Sequence, residues 1–396
     1  MKNKNLSMCR LCLFALILIF HLFVRPCAAE WFHRNNVPKT SCRYMVCAND
    51  QKFILTDGLG KLKDNPKTGS FTILDFSVFP PKVSSLSNVP CSVIGPPTCV
   101  AVTSDEHTVI VAAAMKVDPC DIAKQIPDNR VSVIEINDDN AKIIKTIQVG
   151  NEPSSVTICG NTAYVSNRSD GSISILSISG NKVKLVKTVK VCEPNDSIAH
   201  IAISPDSKFL LTSLNKAEAI LYIPLKGTRN FGKIKRISVG QGPYCIDFDK
   251  EGKNAFVANT MDATVSVLEI SGDSIKAKEQ IKVGVLPEGL SISKANNLMV
   301  ISSMMHTTVA IDNPDRDEFG QIMVFDVSGK KPRLIQTLQT DRIPQTAIFS
   351  PEGKYLVVAG YEKKRLLVYK MIDGQLKDTG VVINVPGQPC SLRTAN

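Results

Sequence analysis

The sequence predicts an all-β chain: a seven-bladed β-propeller of four-stranded antiparallel blades, its ring closed by a blade shared between the N- and C-terminal segments. Three observations carry this. A unit of about 45 residues recurs, clearest at Pro153 to Leu176 (PSSVTICGNTAYVSNRSDGSISIL) and Pro243 to Leu268 (PYCIDFDKEGKNAFVANTMDATVSVL). Each copy reads as an inner strand, a turn, a second strand ending in Asn, a loop and a third alternating strand, and four-stranded repeats of this length are the mark of propeller blades. The chain also begins and ends with incomplete copies that complement each other.

Lys2, Lys4 and Arg10 precede an apolar run from Leu11 to Val24 and then Cys27-Ala28-Ala29. This pattern reads as a cleaved export leader over residues 1–29, leaving 30–396 as one propeller domain. The run is shorter than the roughly 20 residues that span a bilayer, so the mature chain is expected to be exported, periplasmic or secreted, without a membrane span. The CxxC spacing of Cys9 and Cys12 falls inside the leader and is incidental there. Four basic residues and no acidic ones lie in that segment, so its removal takes the formal charge from +10 to +6.

Taking the Pro, or its equivalent, at the start of each inner strand as a marker gives Pro97, Pro153, Ile198, Pro243, Pro287, Pro344 and Pro389, at intervals of 56, 45, 45, 44, 57 and 45 residues. Six markers lead into full blades. The seventh has an inner strand alone, and Lys52 to Thr56 and Ser70 to Phe76 are expected to supply its second and third strands. Closure of this kind removes the open sheet edges of an incomplete ring.

Strand alternation agrees with this layout. Ile173 and Ile175 alternate with Ser172 and Ser174, and Val265 and Val267 with Thr264 and Ser266, the period of a half-buried strand. Ile322 to Phe325 is apolar throughout, as in a strand covered on both faces. Ser204-Pro205-Asp206-Ser207 and Ser350-Pro351-Glu352-Gly353 supply turn chemistry between strands. Lysines cluster where the outermost strands are expected, at Lys182, Lys184, Lys187 and Lys190 and at Lys276, Lys278 and Lys282, a guard against edge pairing. Aromatics are absent from those clusters, which argues against a nucleic-acid surface.

The strand endings Tyr164-Val165-Ser166-Asn167 and Phe256-Val257-Ala258-Asn259, each following a Val-Gly-x-x-Pro turn, resemble the YVTN-type β-propeller repeat. That repeat is similar to those of seven-bladed lactonase-like propellers and of the propeller subunits of bacterial amine dehydrogenases. The blades at Ile198, Pro287 and Pro344 keep the framework but carry Thr212-Ser213, Ser302-Ser303 and Ala359-Gly360 in place of the Asn ending. The fold itself supports many unrelated activities.

Because the strands of a blade alternate in direction, loops joining successive blades and loops between second and third strands emerge on one face. The long intervals place extra residues in the second-to-third loops: 115–130 in the blade of Pro97 and 304–320 in that of Pro287, with a third enlarged loop from Asp57 to Gly69. Loops on a rigid scaffold carry function. The candidate ligand-binding residues there are Glu152, Arg168, Glu288, His306 and Arg342, with His306 and Glu288 as the candidate catalytic groups. Histidine titrates near neutrality and serves as base or ligand, but His33, His107, His200 and His306 lie in separate segments, so no metal site is expected. Asp312 to Asp317 lacks calcium-loop spacing.

Nine cysteines follow the leader, an odd number, with Cys42 and Cys47, and Cys91 and Cys99, the pairs closest in sequence. CxxCH, GxSxG, P-loop and dinucleotide fingerprints are absent, and no cofactor is expected. The leading functional expectation is a monomeric scaffold binding a protein, peptide or glycan on the loop-rich face. The alternatives are a lactonase-like hydrolase, for which the resemblance implies a base (His306 or Glu288) and cationic groups (Arg168 or Arg342) at the channel mouth, and a redox-enzyme propeller subunit.

Overall fold

A computed structural model describes residues 42–395 apart from 57 and 139; the leader expected at residues 1–29 lies outside them. Seven antiparallel sheets follow one another around a ring, six of four strands and the third with its outer edge split between Asn230–Phe231 and Lys235–Ser238. Six blades are built in chain order, with inner strands Val100–Val102, Pro153–Cys159, Ile198–Ile203, Pro243–Phe248, Pro287–Ser293 and Pro344–Phe349. Three short 3-10 turns are the helical elements among the described residues, and none of their helices is long and apolar enough to cross a membrane.

The seventh blade joins both ends of the chain, as the sequence predicts. Its inner strand Gln388–Thr394 pairs with Tyr44–Asp50, which pairs with Ser70–Asp75 and then Lys82–Ser87. One expectation is corrected here. The second strand is Tyr44–Asp50, whereas the Lys52 to Thr56 segment forms part of a separate hairpin, Phe53–Thr56 with Leu59–Leu62. Burial explains the choice: every residue of Tyr44–Asp50 is buried and none of Phe53–Thr56 is, so the former recovers more apolar burial between neighbouring blades.

The Asn that ends a second strand has a structural task. Asn167 donates from Nδ2 to Ser172 Oγ (3.0 Å) and Ser174 Oγ (2.9 Å), and Asn259 does the same to Thr264 Oγ1 and Ser266 Oγ, both at 2.9 Å. Those serines accept from the turn glycines, Gly150 N and Gly240 N. Asp170 and Asp262 then accept from Asn151 N and Gln241 N (2.7 and 2.9 Å). The Nδ2 group of one buried amide thus ties the second strand to the third, whose serine in turn holds the inter-blade turn. Asn49 repeats the arrangement in the seventh blade, donating to Thr72 Oγ1 at 3.0 Å.

The lysine-rich outer strands Lys182–Lys190 and Ser274–Lys282 are largely exposed. The 115–130 insertion is mostly strand: the second and third strands of the first blade run to Thr108–Asp118 and Asp121–Asn137, extending the sheet into a long hairpin. The insertion of the fifth blade contains a 3-10 turn at Met305–Thr308. The three enlarged insertions touch in a row. Leu59–Leu62 packs on Asp121–Asn137, and Gly58, at φ +76°, lies against the Val309 carbonyl, too close for any side chain. They roof the first, seventh and fifth blades, while the second, third and fourth keep tight connections at Arg168–Asp170, 215–218 and 260–263.

Candidate functional site

The residue after each marker falls at a β-bulge in every inner strand whose pairing begins at the marker, because the register slips after Pro153, Ile198, Pro243, Pro287 and Pro344. A bulge re-aims the side chain next to it. The residues at this position are Ser154, Ala199, Tyr244, Glu288 and Gln345. They are ordered around the ring, and consecutive members reach each other: Ser154 Oγ donates to the Ala199 carbonyl at 2.9 Å, and Gln345 Nε2 donates to Glu288 Oε1 at 3.0 Å.

Glu288 is the acidic member. Burial pushes its carboxyl up to about 7, against the lowering effects of Arg168 and of the Gln345 hydrogen bond. Tyr244, from the adjacent fourth blade, is pushed up by burial and partly relieved by Arg168, so its phenol stays protonated near neutrality. Arg168 reaches in from the first residue of the Arg168–Asp170 turn of the second blade, its Cζ 5.6 Å from the Tyr244 ring centroid. A guanidinium over an aromatic face is held by the ring quadrupole and leaves its N–H groups directed sideways.

Those N–H groups are the most informative feature of the site. Nε and Nη2 of Arg168 are buried and make no hydrogen bond, and Nε stands 4.0 Å from Glu152 Oε1, beyond hydrogen-bond reach. Buried donors of this kind are uncommon because each carries a desolvation cost. Arg168 acts on Glu288 through its charge, lowering a carboxyl that burial has pushed up to about 7.

The five sequence candidates separate in the structure. Glu288 and Arg168 share one cluster. Glu152 supports Arg168 from below, accepting the Arg168 backbone N–H at its carbonyl (2.9 Å) and the Ser169 hydroxyl at Oε2 (2.6 Å). Arg342 is engaged elsewhere, 3.0 Å from Glu362 Oε2. His306 accepts or donates at Nδ1 to Asp317 Oδ2 at 3.0 Å, with 46% of its side chain exposed, inside its own loop. Tyr244 and Gln345 escape sequence reasoning because neither stands in a recognisable motif; aligning the residues after the markers would have found both. No group of three or more His, Cys, Asp or Glu among the described residues is arranged to hold a metal ion.

Residues 84–392 match the family model described as "Lactonase, 7-bladed beta-propeller". A 6-phosphogluconolactonase of Erwinia tasmaniensis is 30% identical over 135 residues, a match covering 33% of this chain and 39% of that relative's length. Among solved structures, a candidate 6-phosphogluconolactonase of Bacteroides uniformis superposes with TM-score 0.68 at 17% identity, over 90% of this chain and 100% of that one. The periplasmic gluconolactonase of Pseudomonas aeruginosa gives 0.63 at 17% identity, over 89% and 99%. These matches overturn the expectation of a scaffold binding protein, peptide or glycan and favour the lactonase-like alternative. With more than three quarters of its length matched, this chain belongs to the lactonase family of seven-bladed β-propellers.

Proposed function

We propose that the chain hydrolyses a lactone, the attacking water being deprotonated by Glu288 and the charge that develops on the substrate being stabilised by Arg168. The observation that carries this reading is the pairing of a carboxyl poised at about 7 with an arginine whose buried Nε and Nη2 lack hydrogen bonds. A base works best when its proton affinity lies near the operating pH.

Water oxygen adds to the lactone carbonyl carbon as its proton passes to the Glu288 carboxylate. The carbonyl electrons move onto oxygen, where the Arg168 N–H groups meet the oxyanion without reorganising. Collapse of the tetrahedral species breaks the acyl carbon to ring-oxygen bond, and the leaving oxygen takes the proton back from Glu288. The product is the open hydroxy acid, its carboxylate facing the same guanidinium. Gln345 fixes one carboxyl oxygen of Glu288 and leaves the other for water. Tyr244 holds the plane of Arg168 and, as a neutral phenol, is a donor and not a second base. The names of the relatives support an aldonate lactone as the substrate class, with or without a terminal phosphate.

The test is turnover of gluconolactone and its 6-phosphate ester, followed by proton release and corrected for spontaneous opening. The unaltered chain is expected to accelerate one or both. Its rate should rise with pH through about 7 as Glu288 ionises, and Glu288→Gln should lower it by about 10²–10⁴-fold. Turnover unchanged in Glu288→Gln would reject the assignment.

A further inference from the structure

The connection that enters the first blade differs from its counterparts. Residues 88–99 separate the outer strand Lys82–Ser87 from the inner strand Val100–Val102, twelve in all, whereas the other blades are entered through three to seven residues. The extra length lets the chain turn back over the rim. Val93 N donates to the Met115 carbonyl of the first blade (3.0 Å), Ile94 N donates to Asp50 Oδ2 of the seventh (3.1 Å), and the Gly95 carbonyl accepts from Gln345 Nε2 of the sixth (3.4 Å). Gly95 also lies against Cys390 of the seventh blade, where an added Cβ would meet Sγ at 2.6 Å, so only glycine lets the backbone come this close. The segment thus straps three neighbouring blades together and reaches the residue that holds Glu288.

The strap is held under strain. Ile94 takes φ +45°, a region that a β-branched side chain rarely enters, and 44% of the residue is exposed. Such a conformation persists only where its surroundings impose it, and here the bond to Asp50 does so. Asp50 is itself buried and fixed by Lys52 Nζ at 3.1 Å, which also donates to the Thr68 carbonyl at 2.7 Å. All nine cysteines among the described residues are free thiols, so neither pair closest in sequence is bridged and no disulfide ties the strap down.

Gln345 gives the strap its consequence. An amide carries two N–H donors on nitrogen and only acceptor capacity on oxygen. Nε2 donates to Glu288 Oε1 at 3.0 Å and to the Gly95 carbonyl. Turned over, the amide would set its oxygen against the Gly95 carbonyl, acceptor against acceptor. We propose that the 88–99 connection is a positioning strap for the candidate site: its Gly95 carbonyl fixes the Gln345 amide so that an N–H faces Glu288, and lifting the strap frees that amide to turn. The consequence for turnover rests on the hydrolase reading of this site, in which Glu288 acts as an ionised base. An N–H turned toward the carboxyl favours its ionised form, whereas an amide oxygen there accepts from the protonated form and favours that instead. The other charged and titratable groups around Glu288 are Arg168 of the second blade, Tyr244 and Cys245 of the fourth and Tyr361 of the sixth, none of them in the strap.

The test is a pH titration of the full chain followed by carbon NMR of labelled side-chain carboxyls, the Glu288 signal being the one lost in Glu288→Gln. Ile94→Pro removes the N–H that Asp50 holds and cannot adopt a positive φ, so it lifts the strap. Its Glu288 midpoint is expected about 0.5–1 pH unit above that of the unaltered chain, as is that of Gln345→Met, with no further rise in the double substitution because the strap acts through Gln345. The pH profile of lactone turnover should move with the midpoint. Gly95→Ala, whose methyl pushes the same segment off Cys390, gives the same reading where Ile94→Pro fails to fold. A midpoint unchanged in both strap variants, or rises that add in the double substitution, would overturn the proposal. A midpoint that moves in a chain that opens no lactone would uphold the strap and reject the hydrolase reading.

Discussion

Two pairs on the loop-rich face set an ionisable acid–base group against an opposite charge: Glu288 within the field of Arg168, and His306 in contact with Asp317. They differ in what holds them. Glu288 comes from a strand at the inner rim and is half-buried among strands that desolvate its carboxyl, and its partner is stacked on a ring from another blade. His306 and Asp317 belong to one insertion, 3.0 Å apart and with 46% and 40% of their side chains exposed. Water screens the second pair and already satisfies it, so the interaction contributes little. The first pair is more enclosed than the second, and the unmet hydrogen bonds of Arg168 are left for a substrate. Residue type alone ranks histidine above glutamate as a base near neutrality; burial reverses the ranking.

Three substitutions sharpen or break that contrast. The largest expected effect is from Arg168→Met, which keeps the stem but removes the charge. Lactone turnover should fall by about 10²–10³-fold. The pH midpoint should also move above that of the unaltered chain, because Arg168 lowers the Glu288 value. Loss of rate without movement of the midpoint would separate Arg168 from Glu288.

Second comes stability. The folded Glu288 carboxyl titrates at about 7 against an ordinary 4.5, so the native state binds this proton more tightly than the unfolded chain does. Its contribution is fully present below about pH 4.5 and is lost as pH rises to about 7, a change on the order of 3 kcal/mol. Glu288→Gln should therefore resist urea better than the unaltered chain at pH 8, with a smaller difference at pH 5. Equal differences at the two pH values would mean that Glu288 is not desolvated.

The smallest effect is expected from His306→Ala, less than about threefold in turnover, because an exposed pair within one loop is worth little. A loss comparable to that of Glu288→Gln would exchange the roles of the two pairs.

Much of the scaffold was legible before the structure. The spacing of Pro153, Pro243 and their equivalents implied seven blades, because a repeat that cannot bury its own faces must stack on copies of itself. The strand-ending Asn was visible for the same reason: one hydrogen-bonded solution recurs wherever Asn167 or Asn259 stands. Tyr44–Asp50 was missed although Asn49 marks it, since Lys52 to Thr56 offers an equally good local pattern and only packing between neighbouring blades distinguishes the two. Likewise the insertion at 115–130 reads as a loop from its Asp and Pro content, yet pairs as strand because the sheet beneath it continues.

By itself, then, the sequence determined the ring and its closure by the two ends of the chain, since these follow from periodicities of a few residues and from their repetition. Tertiary structure alone decided which polar residues are brought together. Arg168, Tyr244, Glu288 and Gln345 come from four blades and lie up to 177 positions apart, and closing the ring converges them on one rim and desolvates Glu288. Desolvation is a property of that surrounding and not of any residue in it, which is why the acid at Glu288 gains its character only once the propeller is complete.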